Sequence, residues 1–132
     1  MLLDQAILLS DKIPDDLIKC VGKYTINQKI NGKKEGVWKE WFENGQLECE
    51  HYWKEGKRHG IFRGWWLNGQ LKYEGHYIEG QEYGIHKAWY PNCQLWTEHH
   101  WKEGKSHGIQ GIWWDDGQLK YEEHYIEGKR VA

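Results

Sequence analysis

The chain has 132 residues, a net charge of −2 and a mean hydropathy of −0.94. Its 10 Trp and 8 Tyr against 2 Phe supply more ring surface than a disordered chain carries. The near-neutral charge argues against a nucleic-acid partner, and no run of about 18 apolar residues is present to span a membrane.

Residues 1–23 stand apart from the rest. Leu2, Leu3, Ala6, Ile7 and Leu9 can form one apolar helical stripe, but Asp4 and the lack of a basic start do not suit a signal peptide. Pro14 sits at a plausible first helical position, with Asp15 and Asp16 in the first turn and Gly22 as a stop. A short helical N-terminal cap over 1–23 is expected, covering the open end of the repeat array. The run Ile13-Pro14-Asp15-Asp16-Leu17-Ile18 also resembles the opening of an F-box, which implies an adaptor that recruits a ubiquitin-ligase subunit. The remainder of an F-box is missing, because strand-like sequence begins by Tyr24.

From Tyr24 the sequence becomes periodic, and 24–132 reads as one repeat domain. Glycines fall at Gly32, Gly56, Gly80, Gly104 and Gly128, and a second series runs Gly36, Gly60, Gly84, Gly108. Asn44-Gly45-Gln46-Leu47 returns at 68–71 and, altered, at 92–95 and 116–119. A 24-residue period signals one supersecondary unit stacked on copies of itself. The repeats are 31–54, 55–78, 79–102 and 103–126, with a partial copy at 127–132. A 48-residue order lies above this: repeats two and four share Gln-Leu-Lys-Tyr-Glu, and repeats one and three share Trp-Lys-Glu-Gly-Lys.

Each repeat reads as a hairpin. Val37–Phe42 is an outgoing strand, and Asn44-Gly45 is expected to make a type I′ turn with both residues at positive φ. Gln46–Trp53 returns, Lys54–Lys57 turns again, and Gly60 marks a bulge or close contact. The fold class is therefore all-β, an elongated antiparallel sheet of tandem hairpins. Alternation along the strands gives columns that stay apolar in each copy. They are Trp41, Trp65, Trp89 and Trp113, then Leu47, Leu71, Leu95 and Leu119, then Trp53, Tyr77, Trp101 and Tyr125, with Val37, Ile61, Ile85 and Ile109 beside the first. These are expected to merge into one stacked core. The opposite side varies between copies, as a solvent- or partner-facing surface does, and includes the column Trp38, Phe62, His86, Gln110.

Tyr73-x-Gly75-x-Tyr77-x-x-Gly80-x-x-x-Gly84 resembles the MORN repeat, whose core is Tyr-x-Gly-x-Trp-x-x-Gly-x-x-x-Gly. The likeness extends to Tyr52–Gly60 and Trp101–Gly108 and covers 31–128. It departs at the first glycine, which is His51, His99 and Glu123 elsewhere, and at the leading Tyr, which is Cys49 and Thr97 in two copies. The spacing is closer to the bacterial and viral variants of the repeat. The resemblance implies a row of β-hairpins that acts as a scaffold or protein-interaction module, and for some members a role in phospholipid binding. MORN arrays with F-box-like leaders are frequent in large DNA viruses of amoebae, so a viral source and a virion location are among the implied settings.

The same columns carry little sign of reaction chemistry. Eight His recur near repeat spacing, but there is no Cys-x-x-Cys or His-Glu-x-x-His pattern, so no metal site is expected. Glu50, Glu74, Glu98 and Glu122 are expected to accept hydrogen bonds from neighbouring repeats. No Ser/His/Asp order, phosphate loop or nucleotide fingerprint is present, and neither an enzyme nor a cofactor is expected. Cys20, Cys49 and Cys93 are odd in number and far apart, and read as free thiols of a reducing, cytoplasmic compartment. The expected function is a non-enzymatic interaction module, with Trp38, Phe42, Phe62, Trp66, Tyr90 and Trp114 meeting a protein partner. Self-association through the strand edge near Arg130–Ala132 is a further expectation. The alternative is anionic lipid at the basic turns, where Lys54, Lys57, Arg58, Lys102 and Lys105 gather, although Glu55 and Glu103 offset them.

Overall fold

The computed structural model describes residues 26–131. The cap and the F-box-like run lie outside the described residues. Ten strands form one antiparallel sheet in chain order. They are β1 Gln28–Ile30, β2 Lys33–Trp41, β3 Leu47–Lys54, β4 Lys57–Trp65, β5 Leu71–Ile78, β6 Gln81–Trp89, β7 Leu95–Lys102, β8 Lys105–Trp113, β9 Leu119–Ile126 and β10 Lys129–Val131. No helix occurs among the described residues.

Two kinds of turn alternate, and the type I′ turn is not at the position the sequence suggested. Asn44 is not at positive φ, while Gly45 is, at 89°. The Gly45 amide donates to the Phe42 carbonyl at 2.9 Å, and Phe42 N donates to Gln46 O at 2.8 Å. This is a three-residue loop, a type I turn closed by a left-handed glycine. Asn44 contributes through its side chain, Oδ1 accepting from Gln46 N at 2.9 Å. The turns with two positive φ values are at the other end of the strands: Glu55-Gly56 at 49° and 82°, and Glu79-Gly80 at 48° and 85°. A left-handed residue with a side chain costs about 1–2 kcal/mol. Each of these turns recovers a bond to the preceding repeat, as Gly56 N donates to Lys34 O at 2.9 Å and Gly80 N to Arg58 O at 2.8 Å. Gly60, at φ 101°, lies in an irregular stretch where the β3–β4 register shifts between His51 and Trp53, beside Tyr52 Cβ.

The expected single core divides in two. Directly opposite residues share a face and adjacent ones along a strand do not, and Trp53 lies opposite Gly36, not Val37. Tyr77 likewise faces Gly60, Trp101 faces Gly84 and Tyr125 faces Gly108. Trp53, Tyr77, Trp101 and Tyr125 therefore occupy one side of the sheet, and Val37, Ile61, Ile85 and Ile109 the other. Trp41, Trp65, Trp89 and Trp113 sit opposite Leu47, Leu71, Leu95 and Leu119, each pair just past a register shift. They are not enclosed: Trp41 is 38% and Leu119 50% exposed, and Val37 is the one buried apolar side chain among the described residues. Burial on each face is partial, and cross-strand pairs on each face hold the fold.

Candidate functional site

One side of the sheet is a ladder of charge. Lys39, Glu50, Arg63, Glu74, Lys87 and Glu98 are successive cross-strand neighbours from β2 to β7. Lys39 Nζ lies 3.3 Å from Glu50 with both side chains buried. Arg63 meets Glu74 at 2.7 Å and Lys87 meets Glu98 at 3.8 Å, both more exposed. The glutamates thus take their cations from the same hairpin, not from a neighbouring repeat. In repeat four the cation is replaced by Gly111, and a Cβ there would meet the Trp113 ring at 2.6 Å. Glu122 instead has His124 Nε2 at 3.2 Å.

The other side is a face of rings. Trp38, His51, Phe62, Gly75, His86, His99, Gln110 and Glu123 form one row across the array. The rings touch in sequence: His51–Phe62 at 5.8 Å, Phe62–Tyr77 at 5.0 Å, Phe62–His86 at 5.3 Å and His86–Trp101 at 6.1 Å. Glycines make this possible. A Cβ at Gly75 would come within 2.6 Å of Phe62 and 2.7 Å of His86, and one at Gly64 within 2.2 Å of Tyr73. Tyr73 is held there by His51 Nε2 at 3.0 Å, and burial pushes its phenol up to about 12.

The variable column has a role that alternation alone did not reveal. The carbonyls ten residues back accept from its polar members. Trp38 Nε1 donates to Gln28 O at 3.3 Å, and Gln110 Nε2 to His100 O at 2.8 Å. His86 Nε2 lies 2.8 Å from His76 O and 3.3 Å from His76 N, so it donates to the carbonyl in one tautomer and accepts from the amide in the other. Desolvation pushes the imidazoles of His51, His86 and His99 below their ordinary value.

The six residues expected to meet a partner separate into two groups. Trp38 and Phe62 are on the ring face. Phe42, Trp66, Tyr90 and Trp114 flank the three-residue turns, where Trp66 Nε1 donates to Trp89 O at 3.0 Å and Tyr90 OH to Trp113 O at 2.8 Å. Trp66 and Tyr90 are clamps between repeats as well as surface rings. Trp114 is 49% exposed with Lys120 over its ring at 4.6 Å.

Cations lie on the ring face in the first half. Lys34 Nζ is 4.4 Å from the Trp38 ring and 4.5 Å from the Trp53 ring. Arg58 lies 5.7 Å from Trp53, 6.0 Å from Phe62 and 5.2 Å from Tyr77. Among the described residues, no group of three or more His, Cys, Asp or Glu side chains is placed to hold a metal ion. Cys49 is half-buried and Cys93 exposed, both as free thiols.

The family model described as MORN repeat variant matches residues 34–55, 58–79 and 106–127, half of the chain. The chain belongs to the MORN repeat variant family. The segment 80–105 falls between matches, yet it forms the same hairpin, β6 with β7, in the same register. No curated protein matches the chain. As a MORN array, the protein is a repeat module of tandem hairpins.

Proposed function

We propose that the protein is a non-enzymatic scaffold that binds a protein partner on its ring face. The observation that carries this reading is the row of half-buried rings running unbroken from His51 to Trp101, with no second layer over it among the described residues. Trp, Tyr and Arg dominate interface hot spots, and this face gathers all three. A single sheet also leaves such rings accessible, where a sandwich would consume them.

Selection of binders from a random peptide display library tests it. Selected peptides are expected to shift the amides of Phe62, His86 and Trp101 in a 1H–15N spectrum. Recovery of no binder, or binders that map only to the ladder side, overturns the reading. Anionic lipid is the competing partner, and acidic phosphatidylserine vesicles at low salt distinguish it. The geometry favours protein, because Lys34 and Arg58 fold over rings and Lys102 lies 3.6 Å from Glu127. A basic rim for lipid needs those charges free at the turns.

A further inference from the structure

The two 48-residue blocks align position for position, so one can be read as a variant of the other. In repeat two, Arg58 fills a space bounded by Trp53, Phe62 and Tyr77, and its Nη1 donates to Tyr77 OH at 3.2 Å. Forty-eight residues on, Trp101 and Tyr125 keep the two walls. Ser106 stands in place of Arg58, and Gln110 in place of Phe62. The space is open there: a groove of ≈ 240 Å³ is lined by Trp101, Ser106, Gln110, Glu123, Tyr125 and His99, among others. One further exchange matters. Glu123 stands where repeat two has Gly75, bringing a carboxylate into the groove.

This combination has a definite chemistry. Aromatic walls attract a cation through their ring faces, and a carboxylate adds a charge-assisted acceptor. Gln110 is buried and its Nε2 is held by His100 O at 2.8 Å, so the floor is fixed. Glu123 Oε2 accepts from Tyr125 OH at 2.8 Å, which leaves its other oxygen toward Arg130 Nη1 at 3.6 Å. Arg130 is 69% exposed, so an incoming cation competes with a solvated side chain. The volume, at ≈ 240 Å³, is below the ~300–1,000 Å³ of sites for whole small ligands, and suits one side chain.

We propose that this groove is a docking slot for an arginine side chain of a protein partner, seated where Arg58 sits within repeat two. The inference rests on the ring face being a protein-binding surface and names the group that surface selects.

The test is a 1H–15N titration of the full chain with acetyl-Gly-Arg-Gly-amide, and with the same peptide carrying citrulline or lysine. The arginine peptide is expected to shift the Ser106, Gln110 and Glu123 amides saturably, with a Kd on the order of millimolar, as suits a single anchored side chain. Citrulline keeps the shape and removes the charge, and is expected to bind at least about fivefold more weakly. Lysine is expected to fall between them, having no planar fork. Ser106→Arg refills the groove as repeat two does and is expected to abolish the shifts while leaving the other amides in place. Glu123→Gln, which removes only the charge, is expected to weaken arginine binding severalfold.

Shifts that do not saturate, equal binding of citrulline, or unchanged binding by Ser106→Arg would each overturn the slot. If display peptides map to the ring face but ignore arginine, the slot fails and the scaffold reading stands. If the arginine peptide binds and no display peptide does, the slot stands and the wider face does not.

Discussion

Block 31–78 and block 79–126 share strands, turns and register, yet the first fills the space between Trp53 and Tyr77 with its own Arg58 and the second leaves the equivalent space open. In the first, Tyr73 lies over Gly64 and bonds His51, while Arg58 bridges Trp53 and Tyr77. In the second, the equivalent Tyr121 lines the groove with Ile112 and is 46% exposed, and the short Ser106 stands opposite Trp101 where repeat two has Arg58 opposite Trp53. The ladder side shows the same gradient, from the buried Lys39–Glu50 pair to Gly111 opposite Glu122. Turn geometry and backbone pairing are set by left-handed turn residues, glycine except where Cys93 at φ 73° replaces Gly45, and by Asx bonds common to both blocks. The side chains on the faces were thus free to diverge without unmaking the sheet.

The largest contrast is expected on the ladder. Glu50→Gln removes the carboxylate beside a Lys39 ammonium that is 0% exposed in its side chain. Removing one member of a buried pair costs about 3–5 kcal/mol. Glu122→Gln, in the same column, is expected to change stability by less than about 0.5 kcal/mol. Urea denaturation of both variants measures the difference, and equal costs would break the comparison on this side.

Gly64→Ala comes next. Its Cβ would stand 2.2 Å from the Tyr73 ring, and the ring is pinned between the sheet and His51. Overpacking of this kind costs about 1–3 kcal/mol. Repeats three and four already carry Ala88 and Ile112 at the same position, so adding a methyl there is expected to matter less. Thermal melts of Gly64→Ala and Ala88→Val compare the two blocks directly.

The effect of pH is smaller and concentrates in the ring row. His51, His86 and His99 have folded pKa values below their ordinary one, chiefly through desolvation. The unfolded chain therefore binds more protons in the window from the lowered values up to about 6.5, and stability rises with pH across it. Acidification from pH 7.5 to 5.5 is expected to lower the melting temperature, with little change above pH 7. His86→Gln is expected to flatten part of that slope. Gln110 shows that an amide at this column makes the same carbonyl bond without titrating. A slope unaltered by the substitution would place the protonation elsewhere.

The architecture was legible because it is written in the backbone: a 24-step of glycines and Asx residues demands repeated turns, and repeated turns demand hairpins. The division of the faces stayed hidden because it depends on pairing. Trp53 and Val37 both recur as apolar residues, and only the register, with Trp53 opposite Gly36, shows that they lie on opposite sides. The variation at Trp38, Phe62, His86 and Gln110 looked like a free surface. Three of the four place a side-chain nitrogen against a carbonyl ten residues back, which residue type alone conceals. The groove was invisible for a related reason. It is defined by what Ser106 fails to fill, and that shows only when repeat four is set against the cation held in repeat two.

The smallest expected effect is also the one that separates shape from charge. Arg58→Ser removes a guanidinium lying between 5.2 and 6.0 Å from three rings, and such contacts contribute about 0.5–1 kcal/mol at partly exposed sites. A loss of that size is expected in urea denaturation. The variant is not expected to gain the arginine-binding behaviour of repeat four. Phe62 still occupies the floor, and Gly75 supplies no carboxylate. The transfer needs Arg58→Ser with Phe62→Gln, Gly75→Glu and His86→Ala together, because a Cβ at Gly75 would also stand 2.7 Å from the His86 ring. That quadruple variant is expected to bind acetyl-Gly-Arg-Gly-amide at a second position with an affinity near that of the natural groove. Binding by Arg58→Ser alone would mean that two ring walls suffice, and that the carboxylate of Glu123 and the amide of Gln110 are incidental to what the second block selects.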